Sequence, residues 1–225
     1  MTRVVVLGLL LTVSACSDGG GTSTPMGSTG GTHGTTGGKG GNTTGGQVGS
    51  GGATGTGGTT GAARGAVSLH IIETQGCSLM DQYQDFPIVP GGRPVTASGT
   101  TKMLQDGTVE NGQEVHLECS IQGTAAPYTF FASVQVGIAN SRLIQLQGQV
   151  SIGSTNPGQF IISTPDLPET YGSALPDLCT FTATEVDASA SKVGGHFLCG
   201  TVEGNTSKEK CKAGESYFVF ENCSK

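Results

Sequence analysis

From about residue 66 onward, apolar and polar residues alternate with a period of two. Val67, Leu69 and Ile71 alternate with Ser68 and His70, and Val115, Leu117, Cys119 and Ile121 with Glu114, His116, Glu118 and Ser120. Successive side chains of a strand point to opposite faces, so this pattern predicts strands with one face buried and one wet. Further runs at 130–138, 143–152, 160–163, 179–186, 193–202 and 216–221 give eight or nine strands. Gln135, Gln145, Gln147 and Gln149 fall on solvent-facing positions of a long hairpin over 129–139 and 142–152. Asn111-Gly112, Asn140-Ser141 and Asn156-Pro157-Gly158 fall between runs and predict turns. No stretch keeps a 3.6-residue apolar period over several turns; residues 78–86 and 169–178 have room for a short helical turn at most. The expectation is an all-β domain over 66–225, an antiparallel β-sandwich or jelly roll.

Residues 16–65 break the pattern. Positions 19–64 hold 20 Gly and 12 Thr, with Met26 and Val48 as the only sizeable apolar side chains. So little apolar surface does not offset the entropy of ordering a backbone, which predicts a disordered linker. A glycine-rich coil of this length spans roughly 35–40 Å. His33, Lys39 and Arg64 read as solvated linker residues.

Ahead of the linker, Arg3 precedes a run from Val4 to Val13 that is apolar apart from Gly8 and Thr12. Ten such residues are too few to span a bilayer and have the pattern of a secretory signal. The run closes on Val13-Ser14-Ala15-Cys16. This tetrapeptide resembles the lipobox of bacterial lipoproteins. The resemblance covers residues 1 to about 18 and implies cleavage after residue 15, a diacylglyceryl group on the Cys16 thiol and often acylation of the new amine. Ser17 after the cysteine implies, by the same resemblance, sorting to the outer membrane. The membrane is then a partner through lipidated Cys16. The spacing of the last strands distantly resembles small secreted β-sandwich lipoproteins.

The other six cysteines, Cys77, Cys119, Cys179, Cys199, Cys211 and Cys223, lie in the domain. An even set in an exported chain predicts up to three disulfides, with fifteen connectivities open. Cys119 with Cys223 would join an early core strand to the last. Eight Lys and Arg against sixteen Asp and Glu give the domain a formal net charge of −8, which argues against nucleic acid as a partner.

Signatures of chemistry are sparse. His70, His116 and His196 sit on separate strands, and no Cys-x-x-Cys or zinc-binding His pair occurs, so no metal or other cofactor is expected. The pairs Glu114/Glu118 and Glu185/Asp187 have the even spacing of a solvated strand face. Asp81/Asp85 and Asp166/Glu169 lie in loop-like stretches but lack the spacing of a calcium loop. Gly-x-Ser-x-Gly is absent, so no catalytic residue is assigned. With no Trp, aromatic platforms for a sugar come down to Tyr83, Phe86, Tyr128, Phe130, Phe131 and Tyr171. Tyr83 and Phe86, in a loop-like stretch, are the named ligand-contact candidates. The reading is a non-enzymatic, outer-membrane-anchored lipoprotein displaying a β domain for envelope structure or for interaction with envelope proteins or glycans. A carbohydrate- or peptide-binding module on the same tether, and an envelope-polymer hydrolase, are the alternatives.

Overall fold

The computed structural model describes residues 61–138, 141–173 and 178–225. The expected signal segment, Cys16, nearly all of the linker, and Asn140 of one expected turn lie outside them. Among the described residues every regular element is a strand. In chain order these are β1 (Arg64–Ile72), β2 (Gln82–Phe86), β3 (Val95–Thr96), β4 (Gly99–Thr100), β5 (Leu104–Gln105), β6 (Val109–Glu110), β7 (Gln113–Gln122), β8 (Tyr128–Val136), β9 (Arg142–Val150), β10 (Thr155–Ser163), β11 (Tyr171–Ser173), β12 (Cys179–Asp187), β13 (Lys192–Gly204) and β14 (Lys210–Glu221).

The period of two is clearest in β7, while β1, β13 and β14 carry runs of three to five buried residues. In β7, Val115, Leu117, Cys119 and Ile121 are buried, while Glu114, His116 and Glu118 are exposed. Asn111-Gly112 makes the β6–β7 turn, with φ of 50° and 79°. Two successive positive φ values are those of a type I′ turn, whose twist matches the flanking strands.

Strand pairing is antiparallel throughout one twelve-stranded sheet. The main path runs β2-β1-β14-β13-β11-β10-β9-β8-β7-β6, with β12 also between β13 and β10. The sheet then turns back on itself. Leu104 and Gln105 of β5 pair with Gly65 and Arg64 of β1. Val115 of β7 exchanges backbone bonds with Gly107 and Thr108 just beyond β5 (2.9 Å each). Leu117 N–H donates to the Asp106 carboxylate (2.9 Å). At the other end of β7, Ser224 N–H donates to Cys119 O and Ile121 N–H to Ser224 O (2.9 Å each). These bonds close a seam between β7 and both the segment after β5 and Ser224 in a barrel-like manner, satisfying edge groups that would otherwise be unpaired.

The inward faces bury a single main core. Phe86, Phe130, Phe160, Phe181, Phe197, Phe218 and Phe220 are each at most 1% exposed. Phe130 stacks on Phe218 at 5.4 Å and Phe181 on Phe197 at 5.0 Å. Gly148 and Gly158 face each other across β9 and β10; a side chain on Gly158 would run into the Phe181 ring, 2.4 Å from an ideal Cβ. Three disulfides tie the core: Cys77–Cys211, Cys119–Cys223 and Cys179–Cys199. The second is the bridge expected from the sequence, and it lies on the seam.

Four local expectations are corrected. Arg64 belongs to β1 and not to the linker, and its guanidinium lies 3.6 Å from Glu221. Within the stretch 78–86, residues 82–86 form β2 instead of a helical turn, because Tyr83 to Phe86 pair with His70 to Val67. Residues 171–173 of the second stretch form β11, which pairs with β10 and β13. Asn156-Pro157-Gly158 lies inside β10, where it pairs with Phe181, Thr180 and Cys179 of β12. The turn comes earlier, between the bridged residues Ser151 and Ser154, where Gly153 has a φ of 67°.

Candidate ligand-binding faces

Of the two aromatic candidates only one reaches the surface. Phe86 is 1% exposed, and the Arg142 guanidinium lies 5.3 Å from its ring centroid. The ligand-contact expectation for Phe86 fails because β2 turns it into the core. Tyr83 is 42% exposed. However, His70 stacks on its ring at 4.2 Å and Arg93 lies over it at 4.5 Å. Both neighbours take part of the ring surface that a sugar would stack on.

Acidic and imidazole groups are engaged locally. His70 Nε2 lies 3.5 Å from Asp81, and His116 Nε2 lies 3.8 Å from Glu114. Among the described residues no three His, Cys, Asp or Glu side chains converge as metal ligands. Glu114 and Glu118 stand on the wet face of β7. Glu185 receives Lys192 at 3.0 Å. Asp187 accepts the backbone N–H of Ser189 and Ala190 and the Ser189 hydroxyl, which holds its carboxyl below the usual range. Asp166 receives the Arg142 guanidinium at 2.5 Å. Glu169 accepts the backbone N–H of Thr206 and Ser207, and bonds from these two residues hold its carboxyl low. Asp85 accepts the hydroxyl of fully buried Ser68 at 2.6 Å. Burial pushes its carboxyl up, against the lowering influence of Ser68, Arg93 and Arg142.

Two of the concave surfaces among the described residues offer room for a ligand on the outside of the sheet. The first is a groove of about 400 Å³ over β12, β13 and β14. Its wall is the ribbon β3–β4, which rests on the outer side of β1 and β14 through a small second core of Ala66, Val95 and Val219. Glu185, His196, Glu215 and Tyr217 line it, and Gly194 leaves its floor open. The Tyr217 hydroxyl is pushed up by burial and by its bond to Glu215.

The second surface is the outer side of β8, β9 and β10. Phe131, Gln147 and Gln159 lie side by side across the three strands. They are shared by two adjoining hollows of about 410 and 130 Å³. Gln145 and Ile161 continue the strip at one end, and Gln149 with Thr129 at the other. No ionisable side chain lines either hollow. Gln147 Nε2 donates to Gln159 Oε1 at 3.0 Å, and Gln145 Nε2 to Ser133 Oγ at 3.4 Å. Phe131 is the one phenylalanine of eight that is not in the core. Sequence reasoning placed the glutamines on a wet face and counted Phe131 among the aromatics. It missed that pairing puts Phe131, Gln147 and Gln159 in one row, a fact of register that a single strand does not carry.

Comparison with protein-family models, curated proteins and solved structures finds no match to this chain.

Proposed function

We propose that this chain is a non-enzymatic lipoprotein of the bacterial outer membrane. Lipid on Cys16 anchors it, the Gly/Thr-rich stretch spaces it from the surface, and the disulfide-tied β domain is what it displays. The observation that carries the reading is the cysteine inventory. Of seven cysteines, six are consumed by three disulfides among themselves. Cys16 is the one left over, and it closes the lipobox-like tetrapeptide. Three disulfides also fit an oxidising, extracytoplasmic compartment. Two acyl chains suffice for stable anchoring, where one gives only marginal binding.

The wrapped sheet is read as a flattened, two-layer β-sandwich. The stacking of Phe130 of β8 on Phe218 of β14 supports that reading, since it joins two strands that are far apart along the sheet. A display role is supported by carboxylates engaged in ion pairs and turn hydrogen bonds rather than gathered at one reactive centre. Changing Cys16→Ala tests the anchor. The wild-type protein is expected in the membrane fraction with lipid label, and the variant in the soluble fraction. A wild-type protein that takes no lipid label would refute it.

A further inference from the structure

We infer that the outer face of β8, β9 and β10 binds a neutral polysaccharide. This goes beyond membrane anchoring and does not rest on it. The domain carries −8, yet the two hollows on this face are lined by no ionisable side chain. Nucleic acid or an acidic polymer would be repelled by the domain as a whole, and a cationic ligand finds no counter-charge on the strip. An uncharged ligand suits an uncharged face within an acidic surface.

Gln145, Gln147, Gln149 and Gln159 carry amides that both donate and accept, as sugar hydroxyls do. After the Gln147–Gln159 bond, the Gln147 carbonyl and the Gln159 amino group remain an unspent acceptor and donor among the described residues. Phe131 stands beside them in the same row, with Ile161 further along, giving apolar surface for the C–H faces of sugar rings. A mostly uncharged concavity with a few convergent polar groups is the usual make-up of a small-ligand site.

β8 and β9 have strand neighbours on both sides, so an extended peptide has no free edge there on which to add itself. Recognition falls to side chains alone, which favours a polyol over a peptide backbone.

The test uses the purified full chain in detergent against a panel of neutral polysaccharides (glucans, chitin, xylan), with polygalacturonate as the acidic comparator. At least one neutral polymer is expected to retain the protein, and polygalacturonate to fail. Phe131→Ala should bind about tenfold more weakly, the loss expected for one aromatic contact. The double variant Gln147→Ala, Gln159→Ala should also lose binding while keeping the wild-type melting temperature, and it carries the test if Phe131→Ala does not fold. Tyr83→Ala should bind as the wild type does. The inference is overturned if no neutral polymer is retained, if polygalacturonate binds equally, or if both face variants bind normally. It is also overturned if the face instead forms a dimer in light scattering that Phe131→Ala dissolves.

Discussion

The half of the sheet built from the chain ends and the half built from the meander β7–β10 solve the same problem differently. In the meander each strand pairs with the next in sequence, and β8, β9 and β10 carry no cysteine. In the terminal half, β1 pairs with β14 from the far end of the chain, Arg64 opposite Glu221. That pairing closes a long loop, an entropic cost local hairpins do not carry. Cys77–Cys211 and Cys119–Cys223 fall where this cost is highest, and ribbon β3–β4 covers the outside of β1 and β14. Strands β8, β9 and β10 carry neither bridge nor cover on their outer face, and no ionisable side chain lines the hollows there. Two of the three disulfides fall where the topology is non-local, and the spare surface appears where it is local.

The largest expected effect tests that division. Replacing Cys119 and Cys223 with Ala opens a loop with a separation of 104 residues and should cost about 4–5 kcal/mol by loop entropy. Replacing Cys179 and Cys199, separated by 20, should cost about 3 kcal/mol. Urea unfolding of the two variants reads the difference, and the reverse order would break the comparison. Next come two neighbouring glycines on opposite faces of β13. A Cβ on Gly195 would sit 2.3 Å from Thr182 O, so Gly195→Ala should lose about 2 kcal/mol or more. A Cβ on Gly194 meets its nearest atom at 3.5 Å, in the groove beside the ribbon. Gly194→Ala should therefore stay within about 0.5 kcal/mol of the wild type. Equal losses would mean the groove floor is packed.

A smaller effect is expected at Asp85 in the covered half. Its carboxyl is raised in the folded state, so the folded protein holds the proton to higher pH than the unfolded chain does. The stability from that proton is fully present below the unfolded pKa and is lost as pH rises through the raised folded value. Asp85→Asn keeps an acceptor for Ser68 but does not ionise. In urea unfolding from about pH 3 to pH 7, the wild type should lose stability relative to Asp85→Asn as pH rises. A gap that is flat, or moves the other way, contradicts the burial argument. The smallest effect belongs to the bare face, where Gln147→Ala and Gln149→Ala should each change stability by no more than about 0.5 kcal/mol. A larger loss would mean the amide row is structural.

The long strands were legible because burial of one face enforces alternation, as at Val115 to Ile121. The Asn111-Gly112 turn was legible because only a few residue types accept two positive φ values. The two-residue strands β3 to β6 are too short to show any period. Asn156-Pro157-Gly158 misled because turn residues also serve a strand: Pro157 starts no hairpin, and Gly158 makes room for Phe181. Phe86 was read as a loop residue because polar neighbours on β2 hide a burial that comes from pairing with β1. The candidate face was half visible. Alternation set the glutamines outward, but only register set Phe131 beside Gln147 and Gln159.

The central claim is a cysteine assignment, and intact mass spectrometry with non-reducing peptide mapping of membrane-extracted protein tests it most directly. The account predicts a mature chain beginning at Cys16 with a diacylglyceryl thioether, and bridges at Cys77–Cys211, Cys119–Cys223 and Cys179–Cys199. Cys16 found as an unmodified thiol, or bridged to any of the other six, would contradict it.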